Sequence, residues 1–262
     1  MHSAIRHPIK IPGIEAISIA SDRTFPRHSH DEFGFGVVEQ GGQQSWSGRG
    51  LVEAKAGDVI TVNPGELHDG IGREGYPRHW RMLFVSPDAL TNLLEIPASK
   101  IDLESPVLRA PETYASVKTA LNVAISEDVE ASGVEEALML AIHGVMGSPR
   151  LLRKDTSVSL SRPVARVLEQ IRSEAGLPLA LSDYATTSGL SRYQILRHFS
   201  AEVGATPHAY LVQHRVKIAR RAIAGGASLV DAALSAGFAD QSHMTRAFAR
   251  QIGISPGRYR DH

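Results

Sequence analysis

The sequence predicts an α+β chain of two domains, a β-barrel with appended helices followed by an all-α domain. Three observations predict it. The first is a repeat in the last third. Ser191, Ile195, Arg197, Phe199, Gly204, Pro207 and Tyr210 return 49 positions later as Asp240, Met244, Arg246, Phe248, Gly253, Pro256 and Tyr259. Upstream, Leu181, Ala185 and Gly189 return 48 positions later as Leu229, Ala233 and Gly237, so the second turn carries one inserted residue. One small helical unit is built twice. The second observation is a run of short apolar or alternating segments over residues 14–85, punctuated by glycine, the pattern of a sandwich or barrel. The third is charge. The net charge is zero, yet from Arg150 onward there are 16 Lys+Arg against 8 Asp+Glu, which leaves 12 against 20 before it. A basic domain beside an acidic one suggests that only the former meets phosphate, although solvated surface charge gives the same balance.

At 262 residues the chain is long enough for two cores. No apolar run approaches the roughly 20 residues of a membrane span, so no membrane partner is expected. The start, with Arg6 and Lys10 among prolines, lacks the apolar core of a signal peptide. The absence of cysteine removes disulfides and thiolate chemistry. A cytoplasmic location is expected.

Taken in order, strands are expected at Ile14–Ala20, Phe33–Glu39, Gln43–Trp46, Leu51–Ala54, Asp58–Val62 and Trp80–Val85, with a hairpin turn at Glu39–Gly42. His28 and His30 share a face if extended, because alternate side chains do. Asn63-Pro64-Gly65-Glu66-Leu67-His68 supplies a third imidazole. Arg81 enters an apolar strand, either outward or with its fork toward a ligand carboxylate. Trp46 is a stacking surface or wall packing. Ser86-Pro87-Asp88 opens a short helix. Tyr114, Val117, Leu121 and Ile125, then Leu138, Ile142, Val145 and Met146, mark two amphipathic helices that pack on the barrel or pair across a dimer axis. The expected divisions are 1–105 barrel, 106–148 helical segment, 149–162 linker and 163–262 helical domain.

In that last domain a helix through Val164 and Ile171 precedes the first unit, about 181–202, where Gly189 turns the chain and Ser191 caps the next helix. The second unit, about 229–252, repeats this with Ser228, Gly237 and Asp240. Between them a helix of roughly 19 residues opens at Thr206-Pro207 and spans about 28 Å, close to the roughly 34 Å turn of B-DNA. Its Arg215, Lys217, Arg220 and Arg221 make it basic. The outward positions of both second helices are polar or basic, the groups that reach base edges and phosphates.

Residues 164–260 resemble the AraC/XylS-type DNA-binding domain, most specifically at Gly253-Ile254-Ser255-Pro256 to Tyr259-Arg260. The His-x-His and Pro-Gly-x-x-His motifs resemble those of the cupin barrel and of the cupin-like sensor domain of the same family. The resemblance implies a transcription regulator, not an enzyme, in which a small-molecule effector bound in the barrel controls binding to double-stranded DNA. A homodimer is expected, with RNA polymerase as a further partner if the protein is an activator. Base contacts fall to Tyr193, Gln194, Leu196 and Arg197 in the first unit and to Gln241, Ser242, Thr245 and Arg246 in the second. Backbone contacts fall to Ser191, Arg192, Arg215, Lys217, Arg220, Asp240, His243 and Arg250. Effector contacts fall to His28, His30, Glu32, Trp46, His68 and Arg81. Two departures stand out: Ala180 where the family has a capping hydroxyl, and Leu196 at a commonly polar base-reading position. In metal-binding cupins a glutamate follows the His-x-His by three or four residues, and here those positions are Gly34 and Phe35. No cofactor or metal is therefore expected. The alternatives are a cupin enzyme with a metal on His28, His30 and His68, and a constitutive DNA-binding protein whose barrel is structural.

Overall fold

The computed structural model describes residues 2–48, 50–72, 76–147 and 160–260. The chain divides into two compact units, 1–154 and 155–261. Of the expected linker, residues 149–159 lie outside the described residues.

The first unit begins with nine strands: β1 (His2–His7), β2 (Ile14–Ser21), β3 (Phe25–His28), β4 (Phe33–Gln40), β5 (Gly42–Ser47), β6 (Gly50–Lys55), β7 (Val59–Val62), β8 (His68–Gly70) and β9 (Arg78–Val85). Then come α1 (Pro87–Leu94), β10 (Val107–Leu108), α2 (Pro111–Ile125) and α3 (Ala131–Met146). All six expected strands are present. β1, β3, β8 and β10 were not foreseen, being short or, in β1, a polar edge strand with only Ala4 buried. Gly41, at φ 70°, makes the β4–β5 turn where expected.

The expected β-rich domain with appended helices is present, and its strands are arranged in layers. β1-β2-β9-β4-β7-β10 form one sheet, while β3-β8 and β5-β6 form separate pairs. The pairs are tied to each other by an isolated bridge between Gln44 and Ile71. Among the described residues no strand ladder joins them to the large sheet, so the hydrogen-bonded ring stays open. The two helices pack on the sheet: Phe35, Val37, Leu83 and Val85 bury against Val117, Leu121, Leu138 and Ile142. Ser86 caps α1, its Oγ accepting from Ala89 N at 3.2 Å.

The second unit contains α4 (Arg162–Ser173), α5 (Leu181–Ser188), α6 (Arg192–Val203), α7 (Pro207–Ala224), α8 (Leu229–Ser235), α9 (Gln241–Ile252) and α10 (Pro256–Arg260). Every expected cap forms: Ser191, Thr206, Ser228 and Asp240 each accept a backbone N–H. At α5 the missing hydroxyl of Ala180 is half compensated, because the Asp183 carboxylate accepts from Ala180 N at 2.7 Å. Ile195 and Phe199 seat α6 in the core of the first unit, with Val164, Ile171 and Leu211. Their counterparts Met244 and Phe248 are equally buried in the second.

Arg215 does not face solvent as a phosphate contact should, which corrects that expectation. It is 8% exposed and points inward between Leu211 and Ala219, one helical turn away on either side. Its Nε donates to Ala175 O at 2.8 Å and its Nη2 to Leu177 O at 2.7 Å. Burial pulls its pKa below the ordinary arginine value, with neighbouring Tyr184 acting in the opposite sense. Burial likewise pushes the Tyr184 phenol up to about 12, while Arg215 opposes the rise. The same Ala175 carbonyl meets the second unit. Gly237 has φ 79°, and a Cβ there would stand 2.5 Å from Ala175 O. The segment 175–177 is thus held by α7 and overlaid by the second turn.

Arg215→Met should lower the stability of the second unit by on the order of 3 kcal/mol, since buried carbonyls lose charged donors. Chemical denaturation measures this. The salt slope of DNA binding by the remaining folded protein should not change, because Arg215 reaches no phosphate.

Candidate functional site

Strand β9 has two covered faces. Leu83 and Val85 face the helices, and Trp80, Met82 and Phe84 alternate with them toward the β3–β8 and β5–β6 pairs. On that second face Trp80 meets Phe25 edge-on at 5.7 Å, and Phe84 meets His30 at 4.8 Å. β4 contributes Gly34 and Gly36 there. A Cβ on Gly34 would lie 3.1 Å from the Phe84 ring, and one on Gly36 2.6 Å from Met82 Sδ. The position of the cupin glutamate is therefore occupied by neighbouring apolar side chains. This space between the layers is the candidate ligand chamber.

His28, His30 and His68 converge in it, each with a ring nitrogen within 4.8 Å of the others'. His28 Nδ1 lies 2.7 Å from Pro26 O, and His68 Nδ1 lies 3.1 Å from Glu66 O. A carbonyl only accepts, so in the neutral rings Nδ1 carries the proton and Nε2 is the basic nitrogen. Such an arrangement can hydrogen-bond a polar ligand or, with some contraction, hold a transition metal at Zn–N of about 2.0–2.1 Å. Glu32 is half-buried beside the trio in sequence.

Two expected effector contacts are corrected. Arg81 is on the helix-facing side of β9. Its Nε and Nη2 donate to Glu39 Oε1 at 3.1 and 2.7 Å, and its Nη1 donates to Asn122 Oδ1 at 2.8 Å. Trp46 alternates with buried Ser45 and Ser47, which turns its ring to the opposite face of β5. There Arg27 covers it at 3.9 Å, and Asp69 accepts from its backbone N–H at 2.6 Å. The residue that sequence reasoning missed is Arg78. It sits at the start of β9 in register with Trp80 and is 2% exposed. Burial lowers its pKa to about 10. Its spacing from Trp80 and Met82 was the available signal.

In the helical unit, α6 exposes Arg192, Tyr193, Gln194 and Arg197, and Tyr193 is 72% exposed. α9 exposes Gln241, Ser242, Arg246 and Arg250. The 49-residue repeat superposes these stripes: Tyr193 matches Ser242, and Arg197 matches Arg246. Leu196 and Thr245 are half-buried at the stripe edges, as are Lys217 and Arg220 on α7. His243 is half-buried edge-on to Phe238 at 5.2 Å.

Three helix-start residues are corrected. Ser191 Oγ accepts from Gln194 N, and Gln194 Oε1 accepts from Ser191 N at 3.0 Å, a reciprocal cap. That fold-back takes the Gln194 carbonyl away from base reading. Asp240 Oδ1 accepts from His243 N at 2.6 Å. A carboxylate has no proton to give a phosphate, and Asp240 caps α9.

Residues 12–143 match the family of AraC-like ligand-binding domains, and residues 184–262 match a helix-turn-helix domain family. The HTH-type transcriptional regulator YbfI of Bacillus subtilis is 29% identical over 230 residues, which are 84% of this chain and 81% of that protein. The transcriptional activator NphR of a Rhodococcus species is 41% identical over 98 residues, 37% of this chain and 28% of its own length. The crystal structure of ToxT from Vibrio cholerae shares the fold at a TM-score of 0.54 and 9% identity, covering 95% of this chain and 98% of that one.

Asp240→Asn keeps a capping oxygen and removes the charge. Stability should stay within about 1 kcal/mol of the parent, and DNA affinity should hold or rise. Calorimetry and a DNA titration on one preparation check both.

Proposed function

The chain belongs to the AraC/XylS family of transcription regulators, and we propose that its helical unit reads DNA with the two matched stripes while its β-rich unit holds the effector. The observation that carries this is the pair of capped helices α6 and α9, which present Tyr193 and Arg197, and Ser242 and Arg246, at equivalent positions of the repeat. Arginine on such a helix donates two hydrogen bonds to a guanine edge, and the exposed phenol of Tyr193 supplies stacking or a hydroxyl. Arg192, Lys217, Arg220 and Arg250 serve the phosphates. α7, with 18 residues, spans about 27 Å, a spacing suited to successive major grooves. Gln241, Thr245 and Leu196 complete base contact, the leucine against a thymine methyl. The protein acts as a homodimer in the cytoplasm without catalysis, with RNA polymerase as a further partner if it is an activator. Among the described residues no helix is long and apolar enough to cross a membrane.

One observation favours a second reading, a metal centre of the cupin-enzyme kind. The three imidazole donors lie within 4.8 Å of one another. Elemental analysis of protein purified without chelator decides it: about one transition metal per chain, lost with His30→Ala, supports a metal centre, and sub-stoichiometric metal removes it.

Arg246→Ala should weaken specific binding by about 1–3 kcal/mol and relax preference at one base pair. Lys217→Ala or Arg220→Ala should instead weaken all sequences alike and reduce the salt slope by about one. Titrations over a salt series with operator variants separate the two behaviours.

A further inference from the structure

Among the described residues two arginines are buried, and their surroundings differ. Arg215 spends its guanidinium on two carbonyls. Arg78 uses only Nη2, which donates to Arg23 O and Gly70 O, both at 3.1 Å. A guanidinium has five N–H bonds, so the three on Nε and Nη1 remain. Both nitrogens are fully buried and have no hydrogen-bond partner among the described residues. Buried donors are left unpaired rarely, and a charged one more rarely still.

Among the described residues no carboxylate is paired with Arg78. Several acids around the sheet are committed elsewhere: Glu39 to Arg81, Asp69 to Arg27 and Trp46 N, Asp58 to Arg109 and Lys55 N, and Glu66 to Asn63. Burial is the only cause that lowers the Arg78 pKa to about 10, so the group is still a cation at neutral pH. A cation kept in a low-dielectric space without a counter-ion attracts one strongly.

The walls say what kind. The Trp80 ring lies 4.9 Å from the guanidinium carbon and the Phe25 ring 5.9 Å. Gln43 Oε1 approaches the same Gly70 position as Arg78 Nη2, at 3.6 and 3.2 Å. Two residues along β5, Ser45 Oγ is a second buried atom without a partner. From Arg78, the covered face of β9 continues through Trp80 and Met82 to Phe84, about 20 Å of apolar surface. One fixed positive charge, one hydroxyl and flat apolar walls match a monoanion with an apolar body.

We propose that Arg78 anchors the carboxylate of a small monocarboxylic acid, whose apolar body lies along Trp80 and Met82 inside the β-rich unit. This rests on the assignment of that space as the effector chamber. A charge-assisted hydrogen bond from Nη1 or Nε fixes the acid, and Ser45 donates to it from the facing strand.

The full chain tests this with hexanoate, benzoate and cyclohexanecarboxylate, each against its own carboxamide, alongside a panel of neutral sugars. Thermal melting and calorimetry are the readouts. At least one acid should raise Tm while its amide does not. Arg78→Gln should weaken that acid by roughly ten- to a hundredfold, and Arg78→Lys should recover part of the loss. A second measurement uses the unaltered chain, in case Arg78→Gln fails to fold: the Arg78 Nε–H resonance should move with the acid and stay still with the amide. Acid and amide binding alike, or acid binding undiminished in Arg78→Gln, overturns the Arg78 assignment and leaves the chamber standing. Binding of sugars alone does the same. No binding by any compound overturns the Arg78 assignment and also counts against the chamber.

Discussion

The helical unit depends on one buried cation. Arg215 leaves α7 and closes on the carbonyls of Ala175 and Leu177, in the segment that joins α4 to the first helix-turn-helix. It reaches that segment from α7, whose own Leu211 belongs to the core built by Val164, Ile171, Tyr184, Ile195 and Phe199. With Arg215 in place, the connecting helix is fixed in rotation as well as in position, because a guanidinium bound to two carbonyls tolerates little turning. Gly237 completes the junction by pressing the second turn onto the same carbonyl edge. This contact and the packing of α7 together bear on the relative setting of α6 and α9. Spacing between two reading helices is what a two-site DNA reader must control.

The β-rich unit is governed by a different constraint, the two-sided burial of β9. One face closes the core under α2 and α3, and the other roofs the chamber. Residue alternation assigns these roles, so a single position separates a chamber residue from a structural one. Arg81 and Arg78 illustrate it. Arg81 braces Glu39 and Asn122 on the helix side, while Arg78 lies among aromatic rings on the other. Gly34 and Gly36 on the neighbouring strand let Met82 and Phe84 lie flat, which makes the chamber apolar beside its three imidazoles.

The division into a β-rich and a helical part is legible in the sequence, as are the caps at Ser191, Thr206, Ser228 and Asp240 and the strands with strong apolar character. Local signals carry these: a capping side chain and a 3.6- or 2-residue period act within one turn or one strand. What was not legible depended on which face is which. A strand buried on both sides shows no polar face to orient it, so the sequence does not say which way Arg81 points, and Arg78 precedes the expected strand Trp80–Val85. Arg215 was read with the basic residues around it, although its four-residue spacing from Leu211 and Ala219 placed it on the inward stripe. Ser191, Gln194 and Asp240 were read as DNA contacts because capping and phosphate binding draw on the same residue types at the same helix end. Only the hydrogen-bond geometry separates the two uses.

The junction at Ala175 also has a direction in time. Its two partners lie later in the chain, Arg215 by 40 residues and Gly237 by 62. Domains acquire structure from the N-terminus as synthesis proceeds. Arg215 is therefore synthesised before Gly237, and both after the carbonyls they meet. The contacts that close the junction can form only once the second turn has been made, so the 175–177 segment waits on the last third of the chain.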